Sequence, residues 1–131
     1  MLEADLDRLL ARHGYPSVSL LVDLDPDRGP WPERLDALWR EAGSRLAREA
    51  LGDVAEATMA ALRAEADAVA PTRWAKSVAV YAGADTAVSL SLPVRVRDRV
   101  VIDETFATRD VVHALNRSEE HTSELQSRTQ I

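Results

Sequence analysis

Three carboxylates stand at alternate positions in Asp23-Leu24-Asp25-Pro26-Asp27, directly after the apolar run Val18-Ser19-Leu20-Leu21-Val22. Acidic side chains at the C-terminal end of a strand can converge charged oxygens on one point, which is what a hard cation such as Mg²⁺ requires. A carboxylate in that place can also serve as a nucleophile. The plainer expectation is a turn in which the Asp side chains accept from nearby backbone N–H groups.

The tripeptide Asp23-Leu24-Asp25 resembles the opening of haloacid-dehalogenase-type phosphatases, whose first Asp is the nucleophile. A small Mg²⁺-dependent phosphatase using Asp23 and Asp25 is therefore one reading. The likeness ends with those residues, because Asp27 stands where Thr or Val is expected and no later acidic pair has the metal-binding form. Read as a calcium loop, Asp23, Asp25 and Asp27 fill the first, third and fifth positions, but Arg28 replaces the glycine and Arg34 the bidentate glutamate. A weak cation site at Asp23, Asp25 and Asp27 is the most that spacing supports.

Arg95, Arg97 and Arg99, with Arg109 beyond them, form the other candidate group. Clustered guanidinium groups can contact RNA phosphates, and they can equally protect an edge strand from pairing. His13 and His113 have no partner at metal-ligand spacing, and no resident metal is expected. Ser17, Ser19, Ser89 and Ser91 recur at period two without a Gly-x-Ser-x-Gly frame, so they read as wet strand faces. The five glycines are isolated and make no phosphate-cradling loop, so no cofactor is expected.

The elements that would position these groups follow from periodicity. Leu2, Leu6, Leu9 and Leu10 predict an N-terminal helix, stopped at Gly14 and Pro16. Residues 17–23 predict a largely apolar central strand, and residues 24–32 a proline-rich loop. Leu35, Leu38, Trp39, Ala42, Leu46 and Ala50 form one stripe of a helix from Glu33, with Pro32 in its first turn. A second helix follows Asp53, its expected N-cap, and carries Ala55, Met59, Leu62, Ala66 and Val69 on one face until Pro71. Trp39 belongs to the core, while Trp31 and Trp74 are placed to cover the ends of this αα-hairpin. Strands are predicted over 77–82, 86–92 and 99–103, and a helix starts near Thr105. The sum is an α/β fold: a mixed sheet of about four strands packed against an N-terminal helix and an αα-hairpin.

Composition narrows the function classes. The chain has 131 residues, 46% of them hydrophobic, enough for one domain with a buried core. Its net charge of −6 argues against coating nucleic acid or a membrane surface. There is no cysteine, hence no disulfide framework, thiolate zinc site or cysteine nucleophile. The acidic start Met1-Leu2-Glu3-Ala4-Asp5 lacks a signal-peptide apolar region, and no run approaches a membrane span, so a cytoplasmic location is expected.

Arg117-Ser118-Glu119-Glu120-His121-Thr122-Ser123-Glu124-Leu125-Gln126-Ser127 breaks the Arg- and Ala-rich style of the rest. It resembles the in-frame translation of a common short-read sequencing adapter. Residues 117–131 are accordingly expected to be a non-native, disordered tail, and residues 1–116 a domain cut near Asn116.

Four phrases then carry a family likeness: Tyr15-Pro16-Ser17-Val18-Ser19-Leu20-Leu21, Ser77-Val78-Ala79-Val80-Tyr81-Ala82-Gly83, Leu90-Ser91-Leu92-Pro93-Val94 and, most specifically, Arg99-Val100-Val101-Ile102-Asp103-Glu104-Thr105-Phe106-Ala107-Thr108-Arg109-Asp110. Over nearly all of residues 1–116 the chain resembles the N-terminal domain of the bacterial relatives of archaeo-eukaryotic peptide-chain release factors. It departs from them after the first strand, where Val22-Asp23-Leu24-Asp25 replaces a Pro-Thr-type phrase. The resemblance implies a middle domain of RNase H-like fold, bearing the catalytic loop, and an L7Ae-like C-terminal domain, both missing here. It also implies action on the ribosome or tRNA, as peptidyl-tRNA release or ribosome rescue. On this expectation the fragment is a non-catalytic module, with Arg95, Arg97, Arg99 and Arg109 as RNA contacts. A standalone interaction domain is the remaining alternative.

Overall fold

The computed structural model describes residues 7, 9–10, 14–83, 85–109 and 111–112. The histidines and the 117–131 segment lie outside them, as do most of the expected N-terminal helix and the end of the helix after Thr105. Within those two helices Asp7, Leu9 and Leu10, and later Arg109, Val111 and Val112, are helical.

Strand β1 (Ser17–Asp23) is buried along its whole length because both of its faces are covered. Its even-numbered residues Val18, Leu20 and Val22 face a helical layer, and Leu21 faces a second core on the other side. A 3-10 turn (Pro26–Arg28) leads to helix α1 (Trp31–Ala47), and helix α2 (Asp53–Ala68) returns alongside it. Strands β2 (Ser77–Ala82), β3 (Ala87–Leu92) and β4 (Arg99–Asp103) complete a four-stranded sheet of order β3-β2-β1-β4. This is the strand order of a Greek key with a helical hairpin inserted in its first connection.

The α/β architecture follows the sequence expectation, but every strand pairing is antiparallel where a mixed sheet was expected. The cause is the hairpin. One helix would carry the chain to the far end of the sheet and make the next strand parallel. Two antiparallel helices cancel that translation, so β2 starts where β1 ends, with Leu24 N–H donating to Lys76 O at 3.0 Å.

Leu35, Ala42, Leu46 and Leu62 bury the helical layer against Val18, Leu20, Val78 and Val80. The second core lies on the opposite face, where Tyr81 meets Phe106 edge-on with ring centroids 5.4 Å apart. Leu9, Val94, Val96 and Val111 close it. At the hairpin turn α1 ends at Ala47, so Ala50 leaves the apolar stripe, adopts a left-handed φ of 51° and is exposed. Gly52, with φ 65°, takes the N-cap position expected for Asp53, a place where glycine avoids the Cβ strain of that conformation. Trp39 is half-buried and ties the two helices through its Nε1, which donates to Met59 O at 3.1 Å.

Two groups of serines differ from expectation. Ser17 and Ser19 are fully buried, not on a wet face. The segment after β4 covers them: Ser17 Oγ donates to Glu104 O at 3.2 Å as well as to Gly14 O at 2.7 Å, and Ser19 Oγ accepts from Ala107 N at 2.9 Å. Ser89 and Ser91 are half-buried, and Ser89 Oγ donates to Glu65 Oε1 on α2 at 3.1 Å.

Candidate functional site

The C-terminal end of β1 is where the acidic run sits, and three loops meet there. Antiparallel pairing sets the end of β1 beside the starts of β2 and β4, so the 24–30, 69–76 and 93–98 connections converge. Asp23, the last residue of β1, is buried at 5% exposure.

Its backbone and both carboxylate oxygens are engaged. Asp23 Oδ1 accepts from Asp25 N at 3.0 Å and from Arg95 Nη1 at 2.8 Å. Arg28 Nη1 lies 3.6 Å from Oδ2. Asp23 N–H donates to Asp98 Oδ1 at 2.8 Å, and Asp98 Oδ2 accepts from Arg34 Nη1 at 2.6 Å. Arg34 also donates through Nη2 to Asp23 O at 2.5 Å, which joins the first turn of α1 to the strand. Asp25 in turn accepts from Asp27 N at 2.9 Å, the capping expected of an acidic turn.

The arrangement is an ion-pair clasp: two carboxylates and three guanidinium groups fasten a strand end, a helix start and a crossover. Charged hydrogen bonds of this kind fix geometry more than they add net stability when, as here, two of the three guanidinium groups reach solvent. Asp23, Asp25 and Asp27 are spread along the turn, and among the described residues no three acidic or histidine side chains converge as metal ligands. The carboxylate nearest a nucleophile's position, that of Asp23, carries two arginines.

The four candidate arginines are divided. Arg95 belongs to the clasp. Arg97 is exposed on the crossover, and half-buried Arg99 opens β4 opposite Leu21. Arg109 is exposed two residues after Ala107, whose N–H bonds mid-strand Ser19 and not the clasp. Sequence reasoning missed Arg34 and Asp98. The charge alternation of Arg95-Val96-Arg97-Asp98-Arg99 hinted at a paired carboxylate, but its partner Arg34 sits 64 residues away. Trp74 was expected to cover the hairpin and instead is 57% exposed at this end of the sheet, while Trp31 packs half-buried against the helical core.

A cleft of about 710 Å³ lies between the start of α1 and the end of α2, lined among others by Trp31, Leu35, Asp36, Arg40, Arg63 and Asp67. Four of its charged groups, Asp36, Asp67, Arg40 and Arg63, are paired with one another. Arg63 bonds Asp36 and lies 3.2 Å from Asp67, Arg40 lies 2.6 Å from Asp36, and Arg63 stacks 5.0 Å over the Trp39 ring. The Arg63 hydrogen bond holds the Asp36 carboxyl below the usual range and raises Arg63 in return.

Neither a protein-family model nor a curated protein matches the chain. No helix among the described residues is long and apolar enough to cross a membrane.

Proposed function

We propose that this chain is a non-catalytic N-terminal module of a ribosome-associated, release-factor-like protein of the cytoplasm, whose work is docking and domain packing. The observation that carries the non-catalytic part is the clasp: Asp23, the acidic group at the end of β1, is buried and bound by Arg95 at 2.8 Å. With Arg95 on Oδ1 and Arg28 3.6 Å from Oδ2, this carboxylate serves as an anchor between the strand end and the crossover.

The ribosomal part is supported by the resemblance, whose most specific phrase spans β4 and the segment after it. On that reading, peptidyl-tRNA release or ribosome rescue is the work of the release-factor-like domains the resemblance implies.

Two measurements test the reading. Full-length protein is expected to co-sediment with ribosomes at low salt, and failure to do so overturns the ribosomal part. Hydrolysis of a generic phosphate ester with added Mg²⁺, abolished by Asp23→Asn, would overturn the non-catalytic part.

A further inference from the structure

The sheet end beside the clasp gathers cations around one exposed indole. Between α2 and β2 the chain turns through Thr72-Arg73-Trp74-Ala75-Lys76, closed by Ala75 N–H donating to Thr72 O at 3.2 Å. Its neighbours hold this turn rigidly. Lys76 N–H donates to Leu92 O at 2.8 Å, Lys76 O accepts from Leu24 N at 3.0 Å, and Thr72 N–H donates to Ser91 Oγ at 3.2 Å.

The backbone is therefore fixed while the side chains of Arg73, Trp74 and Lys76 stay exposed. Trp74, at 57%, is more exposed than Leu10, Tyr15 or Val54, the other large apolar side chains left open among the described residues. Ser77 Oγ donates to Val94 O at 2.5 Å, which lays the 93–98 crossover along the same end and brings exposed Arg95 and Arg97 with it. The carboxylates Asp23 and Asp98 are already neutralised within the clasp, half-buried Asp25 lies 4.0 Å from Arg95, and Asp27 is an exposed acid of this end. In a chain of net charge −6, a local surplus of cations around a flat ring is against the general trend.

We propose that this end of the sheet binds a single-stranded nucleic acid, with one base stacked on Trp74 and the flanking phosphates met by Arg73, Lys76 and Arg97. An indole on a pinned turn loses little freedom when a base covers it, and stacking accepts any base. Point cations on either side match the alternation of base and phosphate in a strand, whereas an acidic peptide offers charge without a face to stack. The biological setting rests on the ribosomal reading above and shares Arg97 with it, whereas Arg73, Trp74 and Lys76 are new to it.

The test is anisotropy of labelled oligoadenylate and oligodeoxyadenylate titrated with the full chain at low salt. Trp74→Ala is expected to weaken binding roughly 5- to 100-fold with an unchanged unfolding curve, and Trp74→Phe to restore most of it. Arg73→Gln and Lys76→Gln should each lower the salt slope by about 0.7. Trp74-dependent binding of either strand supports the site, and the tighter one names the source. Wild-type affinity in Trp74→Ala, or equal competition by polyglutamate, overturns it. Loss of ribosome co-sedimentation with oligonucleotide binding intact overturns only the ribosomal reading, and the converse overturns only this site.

Discussion

Arg95 closes on Asp23 across 72 residues of chain, its Nη1 lying 2.8 Å from Oδ1. The contact makes a surface crossover and the end of the central strand one unit. It also turns the most enzyme-like motif of the sequence into a fastening.

Removal of that fastening has a graded outcome. Asp23→Ala strips acceptors from Asp25 N and Arg95 and is expected to cost about 2 kcal/mol. Asp23→Asn keeps an acceptor for Asp25 N and should cost about 1 kcal/mol. Arg95→Ala, at a half-exposed and solvent-screened group, should cost less than about 1 kcal/mol. Urea unfolding of the three variants checks the order, and equal costs would contradict the clasp.

Phe106 is the keystone of the second core, 4% exposed and edge-on to Tyr81. Phe106→Ala should cost about 3–5 kcal/mol. Tyr81→Phe removes the hydroxyl that donates to Ala107 O at 2.8 Å and should cost about 1 kcal/mol. Thermal or urea unfolding that leaves Phe106→Ala near wild type would show that this face is not a core.

Tyr15 donates its hydroxyl to the Glu49 carboxylate at 2.5 Å, and that hydrogen bond, helped by burial and the charges of Glu49 and Asp103, pushes the phenol from 10.0 up to about 12. The protonated form is the one the fold favours. Its contribution is therefore complete below pH 10 and is lost as pH rises towards about 12. Glu49→Gln should bring the tyrosinate transition of Tyr15 down, as read by ultraviolet absorbance titration. An unmoved transition would remove the Glu49 cause.

Asp36 has the opposite sign. Arg63 holds its carboxyl below the ordinary 3.8, so its contribution is present above that value and fades as pH falls through the lower folded one. Arg63→Gln should return the Asp36 carboxyl carbon towards an ordinary titration in NMR. A curve unchanged by the substitution would show that the pair does not form in solution.

Much of the frame was legible. The bounds of β1, β2 and β4 follow from apolar runs between glycine, proline and charge, and the helical hairpin from its period. What was hidden depended on distance along the chain. Ser17 and Ser19 alternate as a wet face would, yet the segment 104–107 returns 87 and 88 residues later to cover and bond them. Asp98 and Arg34 look like surface charges until a strand end is set between them. The antiparallel course of the sheet needed the hairpin's cancelling directions, which no local pattern states. The exposure of Trp74 depended on what failed to cover it.

The position of β1 in the middle of the sheet has a kinetic consequence. It is the first of the four strands along the chain, yet its flanks are filled by residues 77–82 on one side and 99–103 on the other. Almost all of its ladder is non-local, the high contact order that places a small domain among slow folders. During synthesis β1 emerges as an apolar segment with two open edges, and the hairpin can shield one face long before either edge is paired. The sheet therefore closes late and as a whole, with β4 as the strand that ends the vulnerable interval.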